Sequence, residues 1–127
     1  MKKEDILNRQ DIETIVNSFY IKVREDDMLS PMFNHVDWDK HLPLMYDFWD
    51  NVLFYTGNYS GNPMVKHQIA HERNPMNSSH FDRWLSLFDN TLDASYAGKN
   101  TKLLKERAKS IATIMQIKLF GNELYLY

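Results

Sequence analysis

His67 is the residue on which chemistry is most readily built. It closes the run Asn62-Pro63-Met64-Val65-Lys66-His67, which follows the turn formers Tyr59-Ser60-Gly61. Asn62 reads as a helix cap and Pro63 as the first helical residue, because proline lacks the N–H that would be unsatisfied there. Met64, His67, Gln68 and His71 then share one helix face, and Asn74-Pro75 ends the segment by driving the backbone extended. An imidazole on such a helix serves as a metal ligand or as ordinary packing. His67 and His71, four residues apart, also suit a shared zinc ion in a non-haem metal site, although no His-Glu-x-x-His motif or third ligand accompanies them. Tyr20, His41 and Trp84 are three more polar side chains on apolar stripes, and each needs a partner when buried.

Composition narrows the chemistry. With no cysteine, the chain forms no disulfide, thiolate zinc site, iron–sulfur cluster or thiolate-ligated haem, so a bound metal must use nitrogen or oxygen. Fifteen basic against 17 acidic residues leave a net charge of −2, which argues against nucleic acid as a partner. Lys99, Lys102, Lys105, Arg107 and Lys109 read as the solvated face of a last helix. The 7 Phe, 7 Tyr and 3 Trp exceed what a small bundle needs for packing and suit a pocket for a flat apolar ligand. The start of the chain has no apolar signal core, and its longest uncharged run, Asn51 to Val65, is broken by Gly57, Gly61 and Pro63. A soluble, cytoplasmic protein without a membrane span is expected. Its 127 residues predict one domain, 1–127, that buries roughly two-thirds of its unfolded surface.

The elements that must position these residues are helices. Ile12, Ile15, Val16, Phe19, Tyr20 and Val23 have the spacing of an amphipathic helix over Gln10 to Arg24. Ser30-Pro31 opens a short turn, and Asp37 caps a second helix from Trp38 with His41, Met45, Phe48, Trp49 and Val52 as its stripe. Pro43 removes a backbone donor near the front of that helix and can kink it, which affects the aim of His41. After the His67 segment, Ser79 with Asp82 resembles a capping box for a helix buried along Phe81, Trp84, Leu85, Phe88 and Leu92, with Gly98 as terminator. Thr101 is expected to cap a last helix with Leu104, Ala108, Ile111, Ala112, Met115 and Leu119 inward, ended by Gly121. No strand alternation or repeat is present, so the domain is all-α.

Read together, Phe19-Tyr20, Trp38-x-x-His41, Phe48-Trp49, Gly61-Asn62-Pro63-x-x-x-His67 and Phe81-x-x-Trp84-Leu85-x-Leu87-Phe88 resemble the group III truncated haemoglobins in order and spacing. The resemblance runs from about Asp11 to about Met115. It implies a truncated globin fold, a two-over-two helical sandwich around haem b (iron protoporphyrin IX), with His67 as proximal iron ligand. Tyr20, His41 and Trp84 would lie on the opposite, ligand-binding face. Phe33, Met45, Phe48, Trp49, Val52, Met64, Phe88 and Ile111 would contact the cofactor, while His71 and Arg73, with Lys66, would meet its propionates. The ligands implied are dioxygen, nitric oxide and carbon monoxide. Bound dioxygen carries partial negative charge, so donors in a low-dielectric pocket favour it over carbon monoxide. His41, near a helix start, is expected to gate access. The expected role is redox chemistry with nitric oxide or a peroxide, served by an unknown reductase, in a monomer or weak homodimer; storage or transport is the alternative. Without the resemblance, a helical interaction domain with purely structural histidines would be the plain reading.

Overall fold

A computed structural model describes residues 2–57, 59 and 76–124, with side chains as far as Lys118. The expected helix from Pro63, with Met64, Lys66, His67, His71 and Arg73, lies outside the described residues, as does the side chain of Leu119. The described chain forms α1 (Arg9–Glu25), a 3-10 turn (Ser30–Phe33), α2 (Trp38–Phe54), α3 (Ser78–Ser95) and α4 (Lys99–Leu124). Extended pairing among these residues is confined to one isolated bridge, Glu4 to Tyr96.

Helix α1 buries Ile12, Ile15, Val16, Phe19, Tyr20 and Val23, the stripe its periodicity predicts. Asn8 caps it by accepting from the Asp11 N–H at 3.1 Å. One side of α1 meets α2 and another meets α3; α4 closes the arrangement by packing on α3 and α2. Phe19, Phe88, Ile12, Leu92, Leu104 and Ile6 are the largest side chains sealed at its centre. Two polar links fix the neighbours of α1. Arg9 reaches Asp47 at 2.8 Å and the buried Asp50 at 3.3 Å on α2, and Lys22 donates to Thr91 of α3 at 3.1 Å.

Helix α2 starts at Trp38 with Asp37 at the cap position, but the Asp37 side chain makes no capping bond. The helix runs through Pro43, whose missing N–H forgoes only the bond to the Asp39 carbonyl. Its sealed residues are Trp49, Asp50 and Leu53. His41, Met45, Phe48 and Val52 of the expected stripe are half-buried. Tyr55 ends α2 in the left-handed region at φ +55°.

Four expected helix ends are corrected. Helix α3 is capped by Asn77, not Ser79: Asn77 Oδ1 accepts from the Ser79 N–H and His80 Nδ1 accepts from the Asn77 N–H. The reciprocal pair satisfies two donors at once, which the Ser79–Asp82 alternative does not. α3 stops at Ser95, before Gly98. Helix α4 begins at Lys99, and its first turn is capped by Asp5 from the start of the chain. Asp5 accepts from the Asn100 and Thr101 N–H groups at 2.8 and 2.9 Å and from the Thr101 hydroxyl at 2.8 Å. Thr101 is therefore a donor inside the helix. Gly121 does not end α4, which runs on to Leu124.

Candidate functional site

Between α2, α3, α4 and the Ser30–Phe33 turn lies a cavity of about 340 Å³. That falls within the usual range for small-ligand pockets. The turn on its rim is held by Asp26, which accepts from the Met28 and Leu29 N–H groups at 3.2 and 3.0 Å and is paired with Arg83 of α3 at 2.7 Å. Desolvation pushes the Asp26 carboxyl up, but Arg83 and the two backbone donors outweigh it and hold it below the ordinary carboxylate range. The rim residues Met32, Phe33, His35 and Val36 thereby line the cavity, with the Phe33 ring edge to face with Tyr20 of α1 at 6.2 Å.

Tyr20, His41 and Trp84 all lie on the wall of this one cavity. The Tyr20 and His41 rings meet edge to face, with centroids 5.5 Å apart. Trp38 touches both, at 5.3 Å from Tyr20 and 5.4 Å from His41, under the guanidinium of Arg24. Trp84 is stacked on Trp49 at 6.0 Å and on Phe88 at 5.6 Å. Tyr20 is 6% exposed, and burial pushes its phenol well above the ordinary value, so the group stays protonated. Neither the Tyr20 hydroxyl nor the Trp84 indole N–H has a hydrogen-bond acceptor among the described residues. No Asp, Glu, Lys or Arg is on the described wall.

Of the expected cofactor contacts, Phe33, Met45, Phe48, Trp49 and Ile111 line the cavity. Phe88 and Val52 do not. Phe88 is fully buried behind the Trp49–Trp84 stack, and Val52 packs on the core. Helical periodicity reports which face is inward, and it cannot separate the cavity wall from the layer behind it. Met32, Tyr59, Met76, His80, Phe81 and Met115 are wall residues that spacing did not single out as such. His80 carried a readable signal, since Asn77-x-x-His80 has the spacing of a capping box. Among the described residues no cluster of three metal-ligating side chains is present, and no helix is long and apolar enough to cross a membrane.

A family profile described as bacterial-like globin matches residues 4–118. The group 3 truncated hemoglobin ctb of Campylobacter jejuni is 31% identical over 131 residues, spanning 98% of this chain and 97% of that protein. The crystal structure of group III truncated hemoglobin from Campylobacter jejuni superimposes with a TM-score of 0.82, covering 93% of this chain and 95% of that one at 31% identity. The structure of Chlamydomonas reinhardtii THB1 shares the fold, with a TM-score of 0.71 over 85% of this chain and 89% of its own at 23% identity. An all-α frame of paired helices around an aromatic cavity, matched along nearly its whole length by these proteins, places the chain in the bacterial-like globin family, among the group III truncated haemoglobins.

Proposed function

We propose that the cavity holds haem b and that the protein binds dioxygen and other diatomic gases there, in the service of redox chemistry with nitric oxide or a peroxide. The observation that carries this reading is that Tyr20 Oη and Trp84 Nε1, two donors without an acceptor among the described residues, lie on one apolar wall. A globin cavity implies haem, and these residues fit it. Phe33, Met45, Phe48, Trp49 and Ile111 offer apolar contact to a flat plate, and no carboxylate on the described wall repels it. His67 is proposed as the iron ligand, with Met64 beside it and His71 and Arg73 near the propionates. Bound haem supplies a redox-active iron centre that takes diatomic ligands reversibly.

The chain's own part is to hold and screen those ligands. Tyr20 donates because burial keeps its proton on; a phenolate would be an acceptor and would repel a ligand that gains negative charge. Trp84 donates from a ring immobilised by its stack with Trp49 and Phe88, so little freedom is lost when the bond forms. Each bond contributes about 0.5–1.5 kcal/mol, and two working together retain ligand long enough for a second reactant to arrive. Tight retention suits reaction better than delivery. His41, held between the edges of Tyr20 and Trp38, serves as the gate. His41→Leu should change the ligand association rate more than the dissociation rate in flash photolysis; equal association rates count against gating.

Hemin titration of the apoprotein, followed by an intense Soret band, tests the reading directly. Wild type should bind one equivalent. His67→Ala should lose most of that affinity, and a mutant with normal affinity and an unchanged ferrous spectrum would exclude His67 as the iron ligand.

A further inference from the structure

We infer that His80 recognises a carboxylate at the acidic edge of the cavity ligand, donating to it through Nε2. The inference rests on the haem reading and adds the residue that holds a propionate.

His80 has one nitrogen already committed. The Asn77 N–H donates to Nδ1 at 3.0 Å, so Nδ1 carries no proton. In the neutral ring the proton is then on Nε2, which is a donor. That donor has no acceptor among the described residues, although the ring is half-buried on the cavity wall. The capping box therefore fixes the tautomer and the ring plane before any ligand arrives. A donor fixed in this way gives up little rotamer freedom on binding.

The ligand class follows from what the wall contains. Haem is an apolar plate with two carboxylates, and burying a carboxylate without donors is costly. With no Lys or Arg on the described wall, its basic side chains are the imidazoles of His35, His41 and His80. His41 is engaged with Tyr20 and Trp38, at ring distances of 5.5 and 5.4 Å. His35 is exposed on the rim segment. His80 combines partial burial with a ring held by its own helix cap, which suits it best to a carboxylate entering the cavity mouth.

The test compares hemin with its dimethyl ester, in which both carboxylates are neutralised. Full-length wild type, His80→Glu and His80→Phe are loaded with each pigment, and pigment loss to an excess of haem scavenger is timed. Glutamate at this position retains the capping box but places a negative charge on the wall. Its apoprotein should melt like wild type, yet it should release hemin about tenfold faster. His80→Phe, which loses the donor, should also release hemin about tenfold faster. Neither variant should change the loss of the ester. Equal acceleration for hemin and ester would overturn the inference by showing a purely structural effect, as would hemin retention like wild type in both variants. A wild-type protein that forms no Soret band with either pigment would overturn the haem reading itself, and the role of His80 with it.

Discussion

Tyr59 and Trp49 carry buried polar atoms, Oη and Nε1, with no hydrogen-bond partner among the described residues. Such a group costs about 1–3 kcal/mol relative to one that is paired. Tyr59 packs its ring against Phe48 at 5.2 Å, and that contact does not need the hydroxyl. Tyr59→Phe should therefore leave the apoprotein as stable as wild type or more so in urea denaturation; a loss of more than about 1 kcal/mol would show that the hydroxyl has a stabilising partner. Tyr20, His41 and Trp84 were legible from their stripes only as inward-facing; their grouping on one cavity came through the resemblance. Tyr59 and Met76 were not legible as wall residues, because each belongs to a connecting segment where periodicity carries no information. Phe88 differs for the opposite reason: its stripe faces inward, but it is stacked on Trp49 and Trp84, which line the cavity where it does not.

Helix bodies follow from local spacing, whereas the start of α4 depends on a contact that spacing does not encode. The cap of α4 comes from Asp5, 95 residues before Asn100, so no local search for a capping residue finds it. The same contact explains Gly98, whose role is close approach as well as turning. Its φ is +144°, and a Cβ there would lie 2.6 Å from Asp5 Cγ. Asp5→Ala should cost about 1–2 kcal/mol, as other lost caps do. Gly98→Ala should also destabilise, through both the clash and the backbone strain, and a melting temperature equal to wild type would contradict this. The cap has a pH signature. Desolvation pushes the Asp5 carboxyl up, but bonds from Asn100, Thr101 and Ile6 outweigh it and lower it from its ordinary value of 3.8. A carboxyl depressed in the folded state contributes fully above the unfolded value and loses that contribution as pH falls through the folded one. Wild-type stability should thus fall as the medium is acidified below about pH 4, and Asp5→Ala should fall less steeply. Parallel pH curves would assign the cap's contribution elsewhere.

At the scale of the whole molecule, the four described helices pack around the aromatic cavity, and the family match spans residues 4–118. The all-α class was legible from helical periodicity and the absence of strand alternation. The two-over-two arrangement was legible only through the resemblance, because periodicity gives each helix an inward face without saying which helix it meets. Links such as Arg9 to Asp47 and Asp50, and Lys22 to Thr91, join residues far apart in the chain and become visible only in three dimensions. The Lys22 link, with the Phe19 ring against Trp84 at 5.5 Å, joins α1 to α3, and Tyr20 of α1 and Trp84 of α3 share one wall. That joint placement is the central claim, and oxygen dissociation by stopped flow tests it most directly in wild type, Tyr20→Phe, Trp84→Phe and the double mutant. Each single mutant should release oxygen about two- to tenfold faster than wild type, and the double mutant faster than either. Release rates unchanged by both substitutions would contradict the assignment of these two donors to the bound ligand.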